Sequence, residues 1–276
     1  MFEKTRIFPS RLNWTITTKH VDDVPRNTEA LRLVSKAVGF EKLIEFKQLS
    51  ALWCFGIDQK KLNQISECKS LTRLYLDYQL RFEDLSPLYK LPLLDVLRLD
   101  SCSKINSLKA LAELGQLTGL AIENFKNVHE INPLSELTNL RELAVEGSIW
   151  TRMKINSLEP IANLSNLEYL SLSNLKVMDE SLAPLHELKN LKELLAANFY
   201  PAAEFALLAG KLPGCKCQWF EPFISTNLRC DKCGEATRVM LSGKGTSMLC
   251  TRCDAGKLQR HVEEFERIKK SAREEE

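Results

Sequence analysis

The central part of the chain repeats one arrangement of apolar residues, L-x-x-L-x-(apolar), seven times. At intervals of 22 to 27 residues, the copies begin at Leu49, Leu71, Leu94, Leu117, Leu140, Leu167 and Leu191. Within each copy, apolar and polar residues alternate with period two, which predicts a short strand with one buried face. A weaker eighth copy begins at Leu212, where Cys215 and Cys217 stand in the apolar positions.

The stretches between these strands carry leucines three positions apart, as in Leu85, Leu88 and Leu91. This spacing predicts short 3₁₀ or α-helical turns. One repeat is too small to bury its own apolar face, so neighbouring repeats must stack. The pattern therefore predicts an α/β solenoid, an arc with a parallel sheet on the concave side and short turns on the convex side. The 46 leucines among 276 residues follow from this spacing.

Three stretches show the pattern clearly: INPLSELTNLRELAV (131–145), LEPIANLSNLEYLSL (158–172) and LAPLHELKNLKELLA (182–196). In these phrases the chain resembles the leucine-rich repeat proteins, specifically the internalin-like class with its 22–23-residue repeats, over roughly residues 43–222. The family usually places Asn or Cys just after the strand. Here those positions hold Gln79, Cys102, Phe125, Ser148, Leu175 and Phe199. We therefore expect the turn side to be apolar in places.

We divide the chain into an N-terminal cap (1–42), a solenoid (43–226) and a small C-terminal module with a terminal helix (227–276). In the cap, residues 14–18 (WTITT) predict a short strand. Asn27 predicts the start of a helix over residues 28–38, which Gly39 would end. The aromatic run QWFEPF (218–223) predicts a hydrophobic plug between the solenoid and the module.

The C-terminal module contains two C-x-x-C pairs, formed by Cys230 with Cys233 and by Cys250 with Cys253. This spacing is typical of a structural zinc site with four thiolate ligands. Between the pairs, ATRVML and TSML flank the glycine-containing SGKG, which predicts a β-hairpin. The segment resembles a zinc ribbon and implies one structural Zn²⁺ per chain. A redox disulfide pair or an iron–sulfur centre would explain the hairpin less well.

The other five of the nine cysteines are expected to be small apolar residues of the core. After the ribbon, the sequence predicts a terminal helix with one apolar stripe. The stripe consists of Leu258, Val262, Phe265 and Ile268. It is expected to pack against the ribbon, the end of the solenoid or a partner. His261 lies off this stripe and is expected to be solvated.

The strand positions between the leucines are expected to face solvent on the concave side. One column there, the acidic row, consists of Asp77, Asp100, Glu123 and Glu146. Parallel strands lie about 4.8 Å apart, so these carboxylates would form a continuous row. Gly119, Ala121 and Ala144 leave room beside it. The interpretation we favour is a docking strip anchored by aromatic side chains; the alternative is a solvated polar face.

The candidate partner-binding residues are Trp53, Phe55, Tyr75, Asp77, Arg98, Asp100, Glu123, Glu146, Trp150 and Tyr169. Trp150 belongs to an insertion at residues 147–154, in the 27-residue step between repeats. Inserted residues emerge as a loop. The ring of Trp150 is therefore either a lid over the core or an exposed contact residue.

The charge is nearly balanced, with 38 basic and 36 acidic residues, which argues against a surface dominated by phosphate contacts. We find no catalytic set: the four histidines are scattered, and we expect the protein not to be an enzyme. No apolar stretch is long enough to span a membrane and no export signal is recognisable, so we expect a cytoplasmic protein with reduced thiols.

These observations together predict a protein-binding module whose partner has a basic surface. Two alternatives stay open. One is association with nucleic acid through the ribbon, which is not favoured because residues 227–276 carry 11 basic against 9 acidic residues. The other is an adaptor that recruits further machinery through the ribbon.

Overall fold

A computed structural model describes residues 5–11, 14, 16–78 and 80–274. Its strands, in chain order, are β1 (Ile16–His20), β2 (Ala30–Val38), β3 (Ala51–Phe55), β4 (Arg73–Asp77), β5 (Val96–Asp100), β6 (Gly119–Glu123), β7 (Glu142–Glu146), β8 (Met153–Ile155), β9 (Tyr169–Leu172), β10 (Leu175–Val177), β11 (Glu193–Ala196), β12 (Phe223–Ser225), β13 (Arg238–Leu241) and β14 (Met248–Cys250). Its α-helices are α1 (Gln59–Ile65), α2 (Ala202–Lys211) and α3 (Ala255–Glu274).

One parallel sheet runs through the repeats. Within the described residues it has nine strands, in the order β1-β2-β3-β4-β5-β6-β7-β9-β11. The register aligns the same leucine position from strand to strand, as in Leu74↔Leu97 and Leu97↔Leu120. These side chains are fully buried. The predicted stacking of repeats into a solenoid with a parallel sheet is thus confirmed.

The convex side is built from short 3₁₀ turns, as the three-residue spacing predicts. They are Ser86–Lys90, Lys109–Glu113, Asn132–Glu136, Glu159–Ile161 and Ala183–Glu187. Each turn places its leucines in the core; Leu88 and Leu91, for example, are fully buried. In the inserted repeat, β8 pairs parallel with β10 in a small separate sheet on the turn side.

Sharp turns follow several strands, and their residues adopt left-handed backbone conformations. Tyr78, Ser101, Asn124 and Asn174 have φ between 48° and 63°. A non-glycine residue adopts this conformation at a small energetic cost, so the surrounding repeats must hold it there. The residues that follow, such as Phe125 and Leu175, are fully buried, in agreement with an apolar turn side.

A column of side-chain amides ties each repeat to the one before it. Gln116, Asn139, Asn166 and Asn190 donate to the backbone carbonyls of Leu91, Gly115, Thr138 and Ser165 at 2.8–3.2 Å. The amides precede the strands, whereas the polar ladder expected from the family would follow them. These bonds link successive repeats through backbone carbonyls near the ends of the convex turns, and the carbonyl of Leu91 also accepts from the N–H of Leu94.

The predicted helix over residues 28–38 is wrong. Residues 30–38 instead form strand β2, which pairs parallel with β1 and β3. Leu31 aligns with Leu52, and Leu33 with Cys54, so the segment continues the leucine register of the repeats. Burial of this alternating face outweighs the local preference for a helix. The strand predicted at residues 14–18 exists as β1, shifted to Ile16–His20.

The C-terminal module packs directly on the end of the solenoid. The predicted hairpin is confirmed, since β13 and β14 pair antiparallel, and β12 adds a further strand that was not predicted. Helix α3 places Leu258 against the ribbon sheet and Phe265 against the solenoid core. Its stripe therefore contacts both the ribbon and the solenoid end. Among the described residues, no helix combines the length and apolar character that crossing a bilayer requires.

The aromatic run after the last repeat acts as the predicted plug. Trp219 and Phe220 are buried in the main core. The indole N–H of Trp219 donates to the carbonyl of Ala196 at 2.8 Å, which joins the plug to the last strand of the sheet.

Helices α2 and α3 pack closely at Gly210. This glycine on α2 leaves space for α3, because an added Cβ there would lie 2.6 Å from Ala272 Cβ.

Candidate concave binding face and metal centre

The concave face is covered in part by the chain's own N-terminal segment, residues 5–11 and 14. Ile7 is fully buried there. It belongs to an apolar cluster, separate from the main core, made with Tyr75, Val96, Ala121, Ala144 and Tyr169. The small residues that leave room on this face thus accommodate the segment. The expectation that the whole face is open to solvent is wrong.

Polar side chains of the sheet hold the backbone of the segment. The N–H of Arg6 donates to Glu142 Oε2 at 2.6 Å, and the hydroxyl of Tyr75 donates to the carbonyl of Arg6 at 2.7 Å. The guanidinium of Arg6 contacts Asp95 Oδ2 at 2.6 Å and donates to Thr118 Oγ1 at 2.5 Å. Arg6 therefore bridges three neighbouring repeats at the start of their strands.

Aromatic contacts hold the rest of the segment. Phe8 meets Tyr169 edge to face, with ring centroids 6.4 Å apart. Trp14 packs on Trp53 at 5.5 Å and on Tyr75 at 5.9 Å. Tyr75 and Tyr169, expected at the surface, are consequently buried, while Trp53 stays half-exposed.

The acidic row exists, but much of it is buried. Asp77 and Asp100 are buried, whereas Glu123 and Glu146 are half-exposed. Arg98 reaches both sides of Asp100: its Nε lies 3.2 Å from Asp77 Oδ1 and its Nη2 lies 2.6 Å from Glu123 Oε2. The row is therefore partly neutralised from within the sheet.

Burial governs the protonation of these carboxylates. It raises the pKa of Glu123 to about 7, although the Arg98 guanidinium acts in the opposite direction. Burial also raises the pKa of Asp77 and of Glu146 above their ordinary values, and again Arg98 opposes the shift. The negative charges of Asp100 and Glu146 add to the shift at Glu123. These carboxyl groups are therefore harder to ionise in the folded protein than in water.

An aromatic patch lies beside the row at the N-terminal end of the sheet. It consists of Trp53, Phe55 and Tyr78. Trp53 and Phe55 have centroids 5.1 Å apart, and Phe55 stacks on Tyr78 at 6.1 Å. The Arg32 guanidinium lies 4.2 Å from the Trp53 ring centroid. Tyr78, which is 62% exposed, was not among the predicted residues; its signal is an aromatic residue immediately after an acidic-row position.

The inserted loop leaves Trp150 92% exposed, next to the equally open Ile149. The side chain therefore does not act as a lid over the core. Further along the loop, the Arg152 guanidinium lies 3.8 Å from the Phe199 ring centroid, on the edge of the sheet that faces the ribbon. The loop keeps its tryptophan in solvent.

The four predicted ligand cysteines come together at the tip of the ribbon. Their sulfur atoms all lie within 4.8 Å of one another. The Cys230–Cys253 and Cys233–Cys250 sulfur pairs are 4.0 Å and 3.8 Å apart. Tetrahedral coordination with Zn–S bonds near 2.3 Å requires sulfurs about 3.8 Å apart. The cluster could therefore hold one metal ion.

Within the cluster, hydrogen bonds favour the thiolate of Cys250, whereas burial raises the pKa of Cys253. The backbone N–H of Cys253 and the hydroxyl of Thr237 point at the Cys250 sulfur, and these bonds lower the pKa of that thiol. His261 lies elsewhere, with its Nε2 2.8 Å from the carbonyl oxygen of Pro222. In the described part of the chain, the acidic row forms no comparable group of metal ligands.

The remaining cysteines belong to the solenoid. Cys54, Cys68, Cys102 and Cys215 are buried and Cys217 is half-buried; all five are free thiols. Burial raises the pKa of Cys68 to about 12, so this thiol stays protonated and unreactive. These residues serve as small apolar side chains, as the sequence predicts.

No protein-family model matches the chain, and no curated protein matches it. Among solved structures, it is similar to internalin C2 of Listeria monocytogenes, at 26% identity and a TM-score of 0.49, covering 65% of this chain and 73% of that one. It is also similar to internalin F of the same organism, at 18% identity and 0.48, covering 67% and 65%. A leucine-rich repeat protein of Leptospira interrogans is 18% identical at 0.44, covering 69% and 54%. The chain's own parallel sheet and repeat register make its fold a leucine-rich-repeat-like solenoid.

Proposed function

We propose that this protein is a non-catalytic binding module that holds a basic partner protein on its concave face. The observation that carries the proposal is the acidic row, in which four carboxyl groups lie on the consecutive strands β4 to β7 beside the guanidinium of Arg98. Arg98 contacts Asp77 and Glu123, and burial still leaves the pKa of both raised. A cationic side chain from a partner would stabilise the ionised carboxylates.

The accessible part of the face suits such a partner. Glu123 and Glu146 are the members of the row that keep exposed area. The aromatic patch lies at one end of the row and offers apolar contact area, with Tyr78 extending furthest into solvent. Aromatic anchors next to charged groups are typical of protein interfaces. The interface we propose therefore runs from Tyr78 along the row to Glu146.

The C-terminal cysteines, in this proposal, hold a structural Zn²⁺. Four thiolates complete a tetrahedral shell, so the ion keeps no open position for chemistry. Its role is to hold the ribbon together, and through the ribbon to position α3 on the end of the solenoid. We place the protein in the cytoplasm, where thiols remain reduced and available to the metal.

The charges on the ribbon surface do not favour nucleic acid as the partner. Basic side chains around the cysteines pair with nearby acids, as in Arg238–Asp231 and Arg252–Glu235. A phosphate-binding surface needs basic groups that are free to contact phosphate. The ribbon therefore offers a weaker electrostatic signal than the concave face.

The test is a selection of short random peptides on the wild-type chain, followed by affinity measurements on two triple variants. One variant neutralises the row (Asp100→Asn, Glu123→Gln, Glu146→Gln). The other neutralises convex-side glutamates (Glu113→Gln, Glu136→Gln, Glu187→Gln). We expect peptides rich in Arg or Lys and at least about a tenfold loss of affinity in the row variant only. Selection of neutral peptides, or equal affinity in both variants, would contradict the proposal.

A further inference from the structure

The geometry points to the N-terminal segment as a displaceable occupant of the concave face. We propose that the natural partner replaces it with an extended stretch of the same chemistry: an arginine, an aliphatic residue and an aromatic residue in succession. This inference rests on the proposed function, because it assumes that a partner binds to this face. It adds the sequence pattern that the partner would present. It also adds that the N-terminal segment must leave the face before the partner binds.

Each of three successive residues has its own seat. Arg6 is held by the carboxylates of Asp95 and Glu142. Ile7 lies over Gly119, where an added Cβ would come within 3.0 Å of Ile7 Cγ2. Because each seat suits one type of side chain, we expect the face to prefer peptides in which a basic, an aliphatic and an aromatic residue follow one another.

The aromatic seat is formed by two residues of the predicted binding set. Phe8 packs edge to face with Tyr169. On another side of the same ring lies Arg98, with its guanidinium carbon 5.8 Å from the centroid. Arg98 also contacts Asp77 and Glu123, so this seat is continuous with the acidic row.

The segment crosses the strands instead of joining the sheet. Its partners lie on β4, β5, β6, β7 and β9, so it spans the repeats. The N–H groups of Arg6 and Ile7 donate to the Glu142 carboxylate, and the Arg6 carbonyl accepts from Tyr75. The segment also precedes β1 in the chain. Its departure would therefore leave every strand pairing of the sheet intact.

An empty face would be unfavourable in water. Release would expose the apolar cluster around Tyr75 and Val96 and would leave Asp95 and Glu142 without the Arg6 cation. A ligand that restores the same contacts removes this cost. The internal segment thus sets an affinity threshold, since a partner binds only to the fraction of molecules in which the face is open.

The experiment uses a labelled peptide of residues 5–14 (TRIFPSRLNW) as the probe. It is titrated into the wild-type full chain and into a full-length released variant that carries Arg6→Glu and Ile7→Glu. We expect the released variant to bind the peptide at least about tenfold more tightly than the wild type does. A peptide carrying the same two substitutions is expected not to bind either protein. Adding Gly119→Leu to the released variant should abolish binding, because it fills the seat of the isoleucine.

Equal affinity of wild type and released variant, or binding of the substituted peptide, would overturn the inference and make the segment a fixed part of the fold. Should the released variant be unfolded by circular dichroism, Ile7→Ala alone replaces it, with the same ordering of affinities expected. The two failures are distinguishable. If the released variant gains no affinity for the peptide while basic peptides still depend on the acidic row, only this inference is overturned. If basic peptides do not depend on the acidic row, the proposed function is overturned and with it the claim that a natural partner replaces the segment.

Discussion

Ile7 occupies the space that Gly119 leaves by having no side chain: a Cβ built on Gly119 would lie 3.0 Å from Ile7 Cγ2 and 3.4 Å from Val96 Cγ2. A residue near the start of the chain and a residue in the middle of the sheet are thus matched in shape. The match explains why a repeat otherwise rich in branched residues tolerates glycine at a strand position, where it has poor intrinsic propensity.

Gly119→Val should therefore destabilise the protein. The added methyl groups would push Ile7 out of its seat, and overpacking of this kind costs about 1–3 kcal/mol. Urea unfolding monitored by circular dichroism measures the change, and hydrogen exchange at residues 6–8 should accelerate. Gly115→Ala is the matched control, because a Cβ there meets nothing within 4 Å. Unchanged stability and exchange in Gly119→Val would show that Ile7 does not lie over this glycine.

Glu123 gives the stability a recognisable pH dependence. Burial raises its pKa from 4.5 to about 7 in the folded state. The folded protein therefore keeps a proton that the unfolded chain releases, so the contribution of Glu123 to the free energy of unfolding falls as pH rises from about 4.5 to about 7. Replacement of Glu123 by Gln removes this pH-dependent contribution to the free energy of unfolding. The stability of Glu123→Gln relative to wild type should rise between pH 5 and pH 8.

The measurement is the difference in urea midpoint between variant and wild type at several pH values. Glu113→Gln, on the exposed convex side, serves as the control and should show a constant difference. A difference for Glu123→Gln that does not change with pH would mean that the carboxyl is solvated in the folded protein.

Metal removal should act on the ribbon first. We expect about one Zn²⁺ per chain by native mass spectrometry, and loss of the ion in Cys250→Ser, since three thiolates and a hydroxyl bind zinc poorly. The hairpin β13–β14 should then lose protection from hydrogen exchange while strands β4–β7 keep theirs. Cys68→Ser, in the solenoid, is the control that retains the metal. A chain that carries no zinc, or a Cys250 variant that keeps it, would exclude this centre.

Truncation to alanine should have very different effects on stability at Trp150 and at Trp219. Trp150 is 92% exposed, so Trp150→Ala should change the free energy of unfolding by no more than about 0.5 kcal/mol. Trp219 is buried and bonded to Ala196, so Trp219→Ala should cost about 3–5 kcal/mol. Chemical denaturation measures both. A large loss of stability in Trp150→Ala would indicate that the loop folds back over the core.

The repeats could be predicted because their signal is purely local. The leucine at each strand position and the three-residue spacing of the turns determine which side chains are buried, and Leu97 and Leu120 align as expected. The cysteine cluster was predictable for the same reason, since C-x-x-C spacing places two sulfurs together whatever surrounds them. Strand β2 was missed because Asn27 and Gly39 carry helix-boundary signals, while its pairing partners β1 and β3 lie outside the segment, with Ala30 aligned to Ala51.

The N-terminal segment could not be predicted from periodicity, because it crosses strands and uses single residues in separate seats. The small residues Gly119, Ala121 and Ala144 predict a space on the concave face. They do not predict that the N-terminal segment fills it. The burial of Asp77 and Asp100 follows from side chains that reach across repeats, such as Trp53, whose indole N–H donates to Asp77 at 2.7 Å. The sequence gives the order of the acidic-row residues along the sheet. It does not show which side chains of other repeats cover them.

The central claim is that residues 5–8 occupy the concave face, and methyl-selective NMR tests it most directly. In the full-length chain, we expect nuclear Overhauser contacts between the Ile7 methyls and those of Val96, and their loss in Gly119→Val. An Ile7 with random-coil shifts and no contact to Val96 in the wild-type chain would contradict the account.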